Sequence, residues 1–124
     1  MDELFWRNLD ELIATSRVVI DRPAGTAHPR FPSFVYPYDY GYLDGTKAAD
    51  GGGVDVWVGS QPDRRLTGVI CTVDLHKRDT ELKLLLGCTP AESQAILAAH
   101  NAGPQAAILV ARPERQGGLP KHIV

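Results

Sequence analysis

Four aspartates carry the clearest chemical signal in this sequence. Asp50 and Asp55 flank Gly51, Gly52 and Gly53, and Asp74 and Asp79 bracket a short polar segment, each pair being five positions apart. Hard carboxylate oxygens gathered at one end of a sheet suit Mg²⁺ or Mn²⁺, and crowded carboxylates repel one another unless a cation neutralises them. The simpler role of any one aspartate is that of a turn residue or helix cap. The second signal is Tyr36-Pro37-Tyr38-Asp39-Tyr40-Gly41-Tyr42, whose tyrosines at alternate positions fall on one face of an extended segment. Such a row either packs on the core as an aromatic strand or offers hydroxyls to a phosphate oxygen or metal-bound water. The triple glycine lacks the spacing and the following Lys of a phosphate-binding P-loop and precedes a strand pattern, so a turn or bulge is its expected role.

The elements that must position these residues are short. Residues 2–15 put Leu4, Phe5, Leu9, Leu12 and Ile13 on one side of a helical wheel, the pattern of an amphipathic helix lying on the core. Residues 17–21 contain Val18-Val19-Ile20 and predict a strand, stopped by Pro23 and Gly25. Residues 24–37, with Pro29, Pro32 and Pro37, predict an ordered loop or edge segment. Residues 54–59, 66–75 and 81–88 read as three consecutive antiparallel strands. Thr89-Pro90-Ala91-Glu92 combines an N-cap, a first-turn proline and a capping-box acid, and predicts a helix running up to Gly103. Residues 105–111 follow as a last apolar strand, and the Gly- and Pro-rich tail from Pro113 is expected to fray.

A chain of 124 residues is expected to form one domain over residues 1–124 around one core. Short strands with two helices make it an α+β arrangement rather than alternating parallel units. A net charge of −2 gives no electrostatic footprint for nucleic acid or an anionic membrane, and no apolar run approaches the length that spans a bilayer. Asp2 and Glu3 stand where a basic leader would be, which sets the expectation of a cytoplasmic protein. Cys71 and Cys88, with neither a second Cys nor a His at zinc-ligand spacing, are expected to be reduced packing residues.

The tyrosine run, then Asp50-Gly51-Gly52-Gly53-Val54-Asp55-Val56, then Asp74 and Asp79 resemble, in order and spacing, the signature of the soluble family I inorganic pyrophosphatases over roughly residues 17 to 87. The resemblance implies a small five-stranded OB-like β-barrel with an N-terminal and a C-terminal helix, and Mg²⁺-dependent (alternatively Mn²⁺-dependent) hydrolysis of pyrophosphate or a related phosphoanhydride to phosphate. It implies Asp50, Asp55, Asp74 and Asp79 as metal ligands and Tyr40 as the active-site tyrosine, with Tyr36 structural. It allows a homo-oligomer and a phosphorylated small molecule as partners.

The departures from that family pattern fall at the chemistry. Gly52 stands where the family has the middle aspartate that helps deprotonate water, and Gly53 stands for its proline. Glu81 stands where a phosphate-binding lysine is expected, and the upstream arginine has no clear equivalent beyond His28-Pro29-Arg30. The family's late Tyr-Lys pair also has no counterpart. Replacement cations are sought among Arg30, Arg64, Arg65, Lys77, Arg78 and Lys83. Lys83 ranks first because on a strand it shares a face with Glu81, and Arg30 second because its loop precedes the tyrosines. The expected site is thus Tyr40, Asp55 and Lys83 as catalytic residues, with Arg30, Tyr40 and Lys83 binding substrate. Reduced activity, or a non-catalytic module binding metal and a phosphorylated ligand, both agree with the losses.

Overall fold

A computed structural model describes residues 2–114. In chain order the elements are α1 (Glu3–Ala14), β1 (Arg17–Arg22), β2 (Asp39–Asp44), β3 (Val54–Val58), β4 (Leu66–Asp74), β5 (Asp79–Leu86), α2 (Pro90–Ala99) and β6 (Gln105–Ala111). The strands form one sheet in the order β1-β2-β3-β5-β4-β6, antiparallel except for the parallel pair β3 and β5. The expected tail beyond Glu114 lies outside the described residues.

Two expectations are corrected here. The architecture is a six-stranded open sheet, not a five-stranded barrel: β1 and β6 form the two edges, and the tyrosine segment contributes a full strand, β2, between β1 and β3. The three apolar runs are also not consecutive neighbours, since β5 inserts between β3 and β4. The reason lies in Leu84, Leu85 and Leu86, all fully buried. A strand apolar on both faces needs cover on both sides and therefore takes the centre of a sheet. The antiparallel neighbour β4 then lies on its far side, joined by the hairpin that sets Asp74 opposite Asp79.

Each face of the sheet carries its own core. On one face, α1 packs Trp6, Leu9, Leu12 and Ile13 against a cluster that includes Val56 and Leu84. The helix is rotated from the expected wheel: Trp6 is 3% exposed, while Leu4 and Phe5 are 60% and 45% exposed. Arg112 fixes that orientation, for its guanidinium donates to both Asp10 carboxylate oxygens at 2.8 and 2.7 Å and lies 5.9 Å from the Trp6 ring centroid. On the other face, Tyr36, Trp57, Ile70, Leu85 and Cys88 meet Ile96 of α2. Each fully buried leucine or isoleucine of this kind contributes about 1.5–3 kcal/mol. The start of α2 follows its sequence: Thr89 Oγ1 accepts from the Glu92 amide at 3.1 Å, and Glu92 Oε1 accepts from the Thr89 amide at 2.9 Å.

The segment 24–37 is an ordered loop, closed by the Ala27↔Val35 bridge and by the Gly25 amide donating to the Tyr36 carbonyl at 2.8 Å. Cys71 and Cys88 are free thiols. Among the described residues no helix is long and apolar enough to cross a membrane.

Gly41 is required by the approach of β1 to β2, because a Cβ there would collide with the Val19 carbonyl oxygen and come within 2.9 Å of the Ile20 Cα. Both are backbone atoms and cannot rotate away. Gly41→Ala is expected to lower stability by about 1–3 kcal/mol or more, as overpacking does. A urea midpoint within error of the unsubstituted chain, at unchanged slope, would contradict this reading of the β1–β2 contact.

Candidate functional site

The face that carries α2 becomes polar toward the N-terminal ends of β3 and β5. Alternation along β5 places Asp79, Glu81 and Lys83 on that face, in line with the buried Leu85. Across the sheet, Lys83 pairs with Asp55 of β3, which itself lies opposite Tyr42, and Tyr40 lies opposite Trp57. Lys83 is the central group, with a side chain only 6% exposed. Its Nζ donates to Tyr40 Oη at 2.8 Å, Asp55 Oδ2 at 2.9 Å and Glu81 Oε1 at 2.7 Å, so all three ammonium hydrogens have partners.

The electrostatics follow from that enclosure. Burial alone would pull the Lys83 pKa down, but Tyr40, Asp55 and Glu81 around it hold it well above its ordinary 10.5. The Tyr40 phenol is held above its ordinary 10.0, first by burial and then by the adjacent Asp55 carboxylate, against the pull of Lys83. It therefore keeps its proton at any working pH. Burial would raise the Glu81 carboxyl, yet the hydrogen bond and charge of Lys83, with Lys77 beyond, keep it below its usual range. Lys77 Nζ stands 3.9 Å from both Asp79 Oδ2 and Glu81 Oε2, extending the row of alternating charges.

The other expected residues are placed as follows. Asp50 is an exposed loop residue whose Oδ1 accepts from the Gly52 amide at 3.0 Å, and its charge bears on Glu81. The triple glycine is indeed a turn: Gly51 has φ +91°, and a Cβ on Gly53 would meet the Tyr42 ring at 2.8 Å. Asp74 takes the turn role weighed for it. Its Oδ1 accepts from the His76 and Lys77 amides, each at 2.9 Å, and its Oδ2 from Gln105 Nε2 at 3.2 Å. The Lys77 amide is the main cause of its lowered pKa, outweighing burial. Arg30 is exposed on the 24–37 loop, where its amide donates to His28 Nδ1 at 3.0 Å. Burial, then the charges of Arg22, Lys77 and Arg30, lower the His28 pKa, and its ring stacks on Tyr36, which packs against Tyr40. Arg64 and Arg65 are at the other end of β5, against Gly87.

The four aspartates are at one end of the sheet but are spread along it. Asp79 precedes Lys83, the partner of Asp55, by four strand residues, about 13 Å at the rise of a β-strand. Among the described residues no group of three or more His, Cys, Asp or Glu side chains is disposed to hold one metal ion. The donor chemistry still suits Mg²⁺, since Asp50, Asp55, Asp79 and Glu81 supply hard oxygens, but an ion here would need further oxygens from a ligand. A groove of about 920 Å³ is lined by Asp50, Asp55, Asp79 and Glu81 together with apolar residues such as Cys71 and Ile108. Cys71 packs with the α1 core and stands opposite Leu82 and Ile108, so the apolar wall of the groove lies on the other face of the sheet, while Asp55, Asp79 and Glu81 join it to the Lys83 cluster.

Sequence reasoning missed one polar chain. Trp57 Nε1 donates to His100 Nε2 at 3.0 Å, which leaves His100 Nδ1 to donate to Gln105 Oε1 at 2.7 Å, and Gln105 passes on to Asp74. His100 is the C-cap of α2, and its partner Trp57 is 43 positions away, so no local spacing signals the pair.

The sequence matches no protein-family model, and it resembles no curated protein closely enough to be called its relative. Its fold has solved counterparts. An inorganic pyrophosphatase from Coxiella burnetii aligns with a TM-score of 0.52 and 19% identity, over 77% of this chain and 83% of that one. The inorganic pyrophosphatase from Helicobacter pylori aligns with a TM-score of 0.54 and 18% identity, over 79% and 84% of the two chains. At this identity the likeness establishes a pyrophosphatase-like fold, an α+β sheet with two helices.

The titrating groups predict two steps in acid stability. Burial lowers the His100 pKa below its ordinary 6.5, against the pull of Gln105, so the unfolded chain takes up the proton first and stability falls as pH drops through that value. Glu81 and Asp74 have folded pKa values below their ordinary 4.5 and 3.8, so their contribution is present above those values and is lost as pH falls further. The thermal midpoint should therefore drop between pH 7 and 5 and again below about pH 4.5. His100→Gln should reduce the first step and spare the second. An unchanged first step in that variant would remove His100 from the account, leaving His28, which is also lowered, as the cause.

Proposed function

We propose that this chain binds pyrophosphate or a related phosphoanhydride together with Mg²⁺ (or Mn²⁺) at the tyrosine and carboxylate end of the sheet, and hydrolyses it slowly to phosphate. The observation that carries the reading is the Lys83 cluster, in which Tyr40, Asp55 and Glu81 are held by one buried ammonium on a pyrophosphatase fold. Asp50 and Asp55 would hold the ion together with oxygens of the ligand, and the ion would neutralise phosphoryl oxygens. Asp79, four strand residues from the Asp55 pairing position, stands too far along β5 to share it. Asp74, carried over as a fourth ligand, already accepts three hydrogen bonds and serves the reading better as support for the hairpin. Tyr40 keeps its phenolic proton and offers it to a phosphate oxygen. Arg30 and Lys77, on the loop and hairpin beside the cluster, face the anionic ligand. Lys83 is a positioning residue in this scheme, because its three hydrogens are already taken up within the protein. A cytoplasmic setting belongs to the proposal.

In hydrolysis a water oxygen bonds to one phosphorus, the bridging P–O bond breaks, and two phosphates leave. Gly52 offers no side chain to take the water's proton, and the loss of a positioned base costs about 10²- to 10⁴-fold in rate. A second reading, a non-catalytic module that binds the same ligand, is favoured by the same absence and by the internal use of Lys83.

Calorimetry and phosphate release with pyrophosphate and Mg²⁺ test both. The expected outcome is binding that requires both components, with slow release that Asp55→Asn abolishes and Tyr40→Phe lowers by about tenfold, the scale of one lost hydrogen bond to a charged group. Binding without release selects the second reading. Neither binding nor release at high protein concentration defeats both.

A further inference from the structure

The ammonium of Lys83 sits where two carboxylates and a phenol oxygen converge, at 2.9, 2.7 and 2.8 Å. We infer that Lys83 is a built-in cation that takes the place of a divalent ion between Asp55 and Glu81 and so decides how many ions the site accepts. The inference deepens the functional reading above, which needs these acids to face the ligand. Two carboxylates so near each other demand a positive charge. Here a single covalently tethered charge supplies it, and burial keeps water and free ions from competing: the lysine side chain is 6% exposed, against 31% for Asp55 and 21% for Glu81. Asp50 and Asp79 do not bond this ammonium, and Lys77 partly offsets the second. Neither makes a complete shell, so ions alone should bind the unsubstituted chain weakly.

Removing the ammonium while keeping the stem should convert the cluster into a true ion site. Lys83→Met does this, being one atom shorter and uncharged. The oxygens that surround Nζ at 2.7–2.9 Å need to contract only slightly to reach calcium's bond length of about 2.3–2.6 Å, but further for magnesium's 2.0–2.1 Å. The variant is therefore expected to prefer Ca²⁺ to Mg²⁺.

The experiment uses CaCl₂, MnCl₂ and MgCl₂ alone, without pyrophosphate, and reads thermal unfolding and calorimetric binding in the full chain. Its failure is thus distinct from a failure to bind pyrophosphate. The midpoint of the unsubstituted chain should not respond to these salts beyond a matched NaCl control. Lys83→Met should bind Ca²⁺ at least about tenfold more tightly than the unsubstituted chain, because its two carboxylates have lost their compensating charge. The double variant Lys83→Met/Asp55→Asn should lose that gain. If Lys83→Met does not fold without ions, recovery of the fold on adding Ca²⁺ or Mn²⁺ supports the inference, and no recovery overturns it. Equal ion binding by Lys83→Met and the unsubstituted chain, or an equal gain in the double variant, also overturns it.

Discussion

A charged amine on the central strand of a sheet is the constraint around which the rest of this molecule is arranged. Burying an ammonium is tolerable only when its charge is matched and each of its hydrogens has an acceptor. Lys83 meets that condition through residues from three strands, Tyr40 on β2, Asp55 on β3 and Glu81 on β5 itself. The requirement fixes register as well as charge. A slip of one residue would turn Lys83 toward the face packed by α1, where Trp6, Val56 and Leu84 offer no acceptor. The same slip would turn Leu84 out of its core.

The polar end and the apolar end of this face are coupled through aromatic rings. Tyr40 packs edge-on against Trp57 at 4.7 Å between ring centres while its hydroxyl receives Lys83, and Trp57 in turn donates to His100. From His100 the hydrogen bonds run through Gln105 to Asp74 at the hairpin, so the end of α2, the edge strand β6 and the β4–β5 turn are held to one frame. The tyrosine row takes the core-packing role through Tyr36, buried against Tyr40 and Trp57, while the Tyr40 hydroxyl accepts a hydrogen bond from Lys83.

Local chemistry was legible in the sequence, and long-range pairing much less so. The Thr89 to Glu92 capping box, the proline-fixed loop and the placing of Glu81 and Lys83 on one strand face all depend on neighbours within a few residues, and each is present in the fold. Strand order depends on which run needs cover on both sides, a property of Leu84 to Leu86 that alternation rules do not reveal. The inner side of α1 was legible at Leu9, Leu12 and Ile13 but not at its start, where Trp6, beside Arg112 from over 100 positions away, is buried in place of Leu4 and Phe5. The aspartates share one sheet end, but the rise along β5 keeps Asp79 and Asp55 apart, a distance that motif spacing does not encode.

The pyrophosphatase-like fold here carries a cluster in which Lys83 lies among Asp55, Glu81 and Tyr40, near a glycine-rich segment with Gly52 at its middle. Within that cluster the charge of the carboxylates is partly neutralised by the chain's own ammonium. The most direct measurement is the ¹⁵N–¹H resonance of the Lys83 side-chain nitrogen followed through an alkaline titration. An ammonium enclosed by Tyr40, Asp55 and Glu81 should remain protonated, with slowly exchanging hydrogens, at pH values above its ordinary 10.5. A Lys83 nitrogen that titrates at or below that value, with rapidly exchanging hydrogens, would contradict the account.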